Sequence, residues 1–204
     1  MVPLPTVAQN ASPPEPLPLD PPDLSSPEAT LQTFLTEATE TIDAYRAGDV
    51  TEMELHAGRT FQAMEMPLPK DDASFLRAAE STLYLFEILS RVPFPSPRRI
   101  PGPARNEEEM PISWTLPHTE IVLLRFDSDS GQPLEYRFSA ETVARLPEFY
   151  QRVAELPSKK RYEPYRGVAE KFRLRPGLEA PQFLQSAVQA LGPKWFSLVG
   201  GEPI

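Results

Sequence analysis

The side chains that most often carry out chemistry are scarce in this 204-residue chain. It has two histidines, His56 and His118, and no cysteine. A three-histidine metal site, thiolate metal sites, iron–sulfur clusters, disulfides and cysteine nucleophiles are therefore excluded. His118 stands beside Thr119 and Glu120, the residue types of an acid/base pair, because imidazole titrates near neutral pH. It follows Pro117 at the entrance of an expected strand, where a turn is the simpler reading. No nucleophile elbow marks a serine for a His–carboxylate pair to activate. Asp127-Ser128-Asp129-Ser130-Gly131 opens like a calcium loop. Gln132 and Phe138 then stand where that loop needs its Gly and its final Glu, so an acidic turn is expected instead. Glu107-Glu108-Glu109 lies among prolines and reads as a solvated charge cluster. No phosphate-binding P-loop, Gly-x-Gly-x-x-Gly or His-Glu-x-x-His occurs. The expectation is a non-enzymatic protein with no cofactor and no metal.

One charge feature is asymmetric. Lys159, Lys160, Arg161, Arg166, Lys171, Arg173 and Arg175 face only Glu163 and Glu170 within their own segment, giving +5 locally in a chain of net charge -9. Tyr162, Tyr165 and Phe172 are interleaved. Basic residues beside aromatics suit anionic lipid head groups. They equally suit the acidic patch of a partner, pairing with the acidic leader, or plain solvation. These seven cations are the candidate membrane or partner contact. The acidic balance of the whole argues against nucleic acid, whose binding depends on cations that displace phosphate counterions.

The elements that must position these groups follow from periodicity. Proline is 26 of 204 residues, far above the usual ~5%. Residues 1–26 form a proline-rich leader expected to be extended or disordered. Ser26, Pro27 and Glu28 then predict a helix start, with Leu31, Phe34, Leu35, Ala38, Ile42 and Tyr45 on one stripe and Gly48 closing it. Thr51 and Glu54 have capping-box spacing for a second helix to about Met64. Asp71 or Asp72 caps a third, with Phe75, Leu76, Ala79, Leu83, Phe86 and Leu89 or Val92 on its apolar side. Residues 93–111 are a proline-rich connector. Period two then takes over in a short strand at 112–115, a longer one at 120–127 and Leu134, Tyr136 and Phe138. Ser139 caps a helix that kinks or restarts at Pro147, and 181–190 suits a last short helix. The fold class expected is α+β: a helical hairpin or bundle, a β-hairpin or small antiparallel sheet, then C-terminal helices. The divisions are 1–26, an α+β domain over 27–156, and an irregular basic segment with a short helix over 157–204.

The first basic residue is Arg46, so no positive n-region opens a secretory signal. No stretch supplies the ~20 mostly apolar residues of a spanning helix. Either a cytoplasmic protein or a mature form with its leader removed fits.

Four stretches resemble one family. Pro21-Pro22-Asp23-Leu24-Ser25-Ser26-Pro27-Glu28-Ala29-Thr30-Leu31 with Phe34-Leu35 is similar to an opening "PPDTSSPRATLxxFL". Residues 83–95, with Leu89, Arg91 and Val92-Pro93, resemble "LxEVLDRIPLP". Trp114-Thr115-Leu116-Pro117-His118-Thr119-Glu120-Ile121 resembles "WxIPxTEI". Phe138-Ser139-Ala140-Glu141-Thr142-Val143-Ala144-Arg145-Leu146-Pro147-Glu148-Phe149-Tyr150 resembles "FSPETVARxPEFY". All four belong to the N-terminal extracytoplasmic domain of bacterial MscS-type mechanosensitive ion channel proteins, and they occur here in the same order. The resemblance covers roughly 19–156 and fades beyond Leu156. It implies a periplasmic, membrane-associated domain without the family's pore helices, acting as an accessory, regulatory or assembly module. Its partner would be a membrane protein or an anionic membrane surface, with a homo-oligomer or a membrane complex as the assembly. Two other functions fit the residues: a scaffold subunit whose proline-rich arm wraps a neighbour, and a small ligand-binding protein with a pocket at His118.

Overall fold

Ser26 ends an extended segment, and its side chain accepts the Ala29 amide to start the first helix. The computed structural model describes residues 21–102, 110–126 and 134–173. Helix α1 is Pro27–Ala47, with Gly48 behind it in the left-handed region at φ 76°, where the lack of a Cβ removes the strain. Helix α2, Val50–Gln62, begins earlier than the Thr51/Glu54 spacing predicts, because the Asp49 carboxylate caps the Glu52 amide first. Helix α3, Asp72–Arg91, starts at Asp71, whose side chain and backbone exchange hydrogen bonds with Ser74.

A three-stranded antiparallel sheet follows, in the order β1-β2-β3: β1 Ser113–Thr115, β2 Val122–Phe126 and β3 Glu135–Phe138. Trp114 pairs with Leu123, which pairs with Phe138. Ile121, Leu123, Tyr136 and Phe138 are buried. The outer edge of β3 is covered by chain from both earlier regions. The Tyr136 amide donates to the Leu24 carbonyl, the Phe138 amide to that of Ala63, and the Glu65 amide to that of Phe138. Ser139 caps helix α4, Ala140–Ala144; the chain breaks at Arg145 and restarts as α5, Leu146–Val153, with Pro147 in its first turn. A 3-10 turn at Lys160–Tyr165 and helix α6, Val168–Arg173, complete the described chain. The architecture is α+β, as the pattern of periods predicts.

Helix α3 is the centre. From Tyr84 to Val92 every residue is buried, including Glu87, Ser90 and Arg91. The predicted stripe differs from this: Leu76, Ala79 and Leu83 are only partly buried, while Ala78, Thr82 and Leu85 are fully so. The reason is that α5, α6 and the turn before α6 close over the face a two-helix hairpin would leave open. Tyr150 of α5 meets Tyr84 at 5.0 Å, and Tyr162 and Tyr165 meet Phe86 edge-on at 5.6 and 5.7 Å. Tyr162 and Ala169 are members of the single core. The basic segment therefore packs on the α+β unit over 157–173, irregular at 157–159 and helical at Lys160–Tyr165 and Val168–Arg173. Residues 21–26 of the predicted leader are part of the fold, with Leu24 buried and bonded to β3 and Ser26 capping α1, while its residues 1–20, the short helix over 181–190, the Glu107-Glu108-Glu109 run, the 127–131 acidic turn and Arg175 lie outside the described residues.

Candidate functional site

The basic segment is held in place before it can present anything. The Lys159 amide donates to the Ser90 carbonyl, and its ammonium donates to the Leu89 carbonyl at 2.8 Å, so one residue satisfies two carbonyls left open at the end of α3. The same ammonium lies 3.6 Å from the centre of the Phe94 ring. Burial lowers the Lys159 pKa to about 8. The Ala169 amide donates to Glu87 Oε1, and Glu87 pairs with Arg91 at 2.6 Å with both side chains buried. The Tyr165 hydroxyl donates to Asp43 on α1 at 2.6 Å, and Arg46 lies over the Tyr165 ring while donating to the Pro164 carbonyl.

These contacts sort the predicted cations. Lys159 is consumed by the α3 end. Arg166 pairs with Glu163 at 3.7 Å and Arg173 with Glu80 at 3.5 Å. Lys160, Arg161 and Lys171 are exposed, and Arg161 stacks beside Tyr162 at 5.6 Å. Helix α6 runs back along α3, from Glu87 opposite Ala169 to Glu80 opposite Arg173, so Lys171 departs from the Lys160–Arg161 end. Two residues missed by sequence reasoning join that end. Arg98 and Arg99 sit exposed on a 3-10 turn, Pro97–Arg99, a few residues beyond the Phe94 ring that contacts Lys159. The dense prolines made that stretch read as a connector, whereas the signal was the Arg-Arg pair itself.

The other candidates resolve differently. His118 is exposed at the tip of the β1–β2 turn, with φ 63°. Thr119 closes that turn through its amide and hydroxyl, both donating to the Leu116 carbonyl. Glu120 serves a different pairing: Arg145 and Arg152 hold it at 2.7 and 2.5 Å and lower its pKa. Arg145 and Arg152 also hold Glu148, forming an exposed network that ties the turn to α5. A carboxylate held ionised in this way is a poor proton acceptor at neutral pH, and it is not the raised-pKa group a His118 pocket would need. His56, which had no assigned role, lies between α1 and α2. Its Nδ1 is 2.5 Å from Glu37 and its Nε2 3.4 Å from Glu52, and Arg59 also reaches Glu37 at 3.3 Å. Among the described residues no group of three or more His, Asp or Glu could hold a metal ion. Among them, too, no helix is long and apolar enough to cross a membrane.

The Tyr165–Asp43 contact carries a pH signature. The hydrogen bond to Asp43, aided by burial, raises the Tyr165 pKa from 10.0 to about 12. The folded form then holds a proton that the unfolded chain has lost, so this stability is complete below pH 10 and is lost as pH rises toward 12. Lys159 acts in the opposite sense at lower pH, between about 8 and its ordinary 10.5, where folding favours the neutral amine. Urea unfolding of wild type and Y165F from pH 9.5 to 12 is expected to show a steeper fall for wild type above pH 10. Parallel curves would remove the hydrogen bond from the account.

No family model matches the chain, and no curated protein and no solved structure matches it.

Proposed function

We infer that this chain is a non-enzymatic extracytoplasmic domain of the kind found in MscS-like mechanosensitive channels, acting at the membrane surface as an accessory, regulatory or assembly module. The observation that carries this reading is the convergence of the four family-like stretches on one core. Leu24 of the first hydrogen-bonds β3, Thr30 donates to the Tyr136 carbonyl at 3.0 Å, and Phe34 meets Phe138 edge-on at 5.3 Å. Leu123, which follows the third stretch, is flanked by Trp114 and by Phe138 of the fourth. Tyr84 and Arg91 of the second contact Tyr150 of the fourth. Shared ancestry of one folding unit requires the four stretches to build one core, and stretches on separate modules would have spoken against it.

The test is location. The chain is tagged at its native locus in its bacterial host, and the cells are fractionated. Recovery in the periplasmic or membrane fraction is expected. Recovery in the cytosol alone, from a reading frame with neither a leader nor membrane spans, overturns the reading.

A further inference from the structure

We propose that the two dibasic pairs at the end of α3, Arg98-Arg99 and Lys160-Arg161, form one contact surface for the phosphate head groups of an anionic lipid bilayer. The proposal rests on the membrane-surface reading above and names the surface and the partner. The Phe94–Lys159 contact is the hinge pin of this assignment. It ties the chain just before the turn at 97–99 to the start of the turn at 160–165, with one cation pair on each, before the two segments diverge toward Glu28 and Asp43 of α1. All four residues are exposed, and none of them has an ion-pair partner among the described residues. Lys159 already satisfies the Leu89 and Ser90 carbonyls at this helix end, and among the described residues the one internal contact of the four charges is Arg161 beside the Tyr162 ring.

What kind of anion fits follows from what the surface lacks. Protein partners are usually gripped by a central aromatic or aliphatic anchor within a polar rim. Here the aromatics are turned inward: Tyr162 is buried against Phe86, and Phe94 is occupied by Lys159. The exposed neighbours are Pro93, Ser96, Pro97, Glu155, Pro157 and Glu163, with Leu156 the one large apolar side chain among them. Cations beside one shallow leucine and no exposed aromatic anchor suit a diffuse negative plane with an apolar layer beneath it. A long nucleic acid is disfavoured by the net charge of -9, which repels a polyanion over most of the surface. The same imbalance orients the protein on a membrane: only this end is drawn toward an anionic leaflet, and the rest is pushed away.

The test is co-sedimentation of the full chain with vesicles of three parts phosphatidylcholine to one part phosphatidylglycerol, with pure phosphatidylcholine as reference. At low salt the wild type is expected to partition to the anionic vesicles, and to be released as salt shortens the screening length. Each near-surface cation contributes about fivefold to partitioning, so R98Q/R99Q and K160Q/R161Q should each weaken it roughly 25-fold. K171Q, on the face that departs from this end, should change it less than about twofold. Circular dichroism and Tm should match wild type in all three variants, since no ion pair among the described residues is removed. Equal partitioning to both vesicle types overturns the proposal. So does a loss for K171Q as large as for the double variants, because that pattern reports net charge and not a surface. Either failure leaves the extracytoplasmic reading to its own fractionation test, which does not depend on these residues.

Discussion

Replacing Glu87 by alanine is expected to destabilise the fold by about 3–5 kcal/mol. Glu87 and Arg91 lie one turn apart on α3, with side chains 0% and 2% exposed and 2.6 Å between them. Charges withdrawn this far from water are tolerable only while each satisfies the other. The Glu87 carboxylate also accepts the Ala169 amide at 2.9 Å, so it fixes α6 as well as its own helix. Truncation leaves a guanidinium buried without its counter-charge and an amide without its acceptor. For a chain of this size Tm should fall on the order of 10 °C. Two companion variants identify the cause. E87Q keeps an acceptor for Ala169 while losing the charge, and should retain part of the stability. E87L/R91M removes both charges and should recover much of what E87A loses, since two apolar side chains cost less there than one unpaired ion. Urea denaturation of the three variants is the measurement. A loss below 1 kcal/mol for E87A would show that the pair is hydrated in solution.

The second large effect is expected at Phe138. Its ring is fully buried and meets Phe34 of α1 edge-on at 5.3 Å, inter-planar angle 71°. Its backbone pairs on both sides, with Leu123 of β2 and with Ala63 and Glu65 beyond α2. F138A therefore opens a cavity where helix, sheet and the exit of α2 meet, and should destabilise by about 3–5 kcal/mol. F138L keeps most of the volume and loses the ring geometry, and about 1–1.5 kcal/mol is expected. The ratio of the two, read from urea midpoints at constant slope, tests whether the site is packed or merely apolar. Equal losses for both variants would show that ring geometry, not volume, dominates.

Much of this fold was written locally. The Ser26 cap, Pro27 and Gly48 bound α1, and the Ser139 cap and Pro147 mark the paired helices α4 and α5, because caps and prolines act within one turn. Alternation in β3 assigns Tyr136 and Phe138 to the interior because Glu135 and Arg137 separate them. In β2 both alternating sets are apolar, so parity alone did not choose Ile121 and Leu123 over Val122, Leu124 and Phe126. The burial of the C-terminal half of α3 on every side depended on a cover more than 60 residues away, and amphipathic patterning does not report an absent partner. The candidate surface was half legible. A run of cations is visible in any sequence. Which of them are spent on helix carbonyls, glutamates and rings depends on tertiary contacts, and so Lys159 left the set while Arg98 and Arg99 entered it.

The covered edge of β3 has a consequence for how the chain is made. Thr30 and Tyr136 are separated by 106 residues, and Asp43 and Tyr165 by 122. At ~5–20 residues per second of synthesis, α1 leaves the ribosome roughly 5–20 s before the strand that roofs it exists. Throughout that interval the nascent Phe34 stripe has helical cover from α2 but lacks the sheet side, which makes it a natural substrate for a holding chaperone.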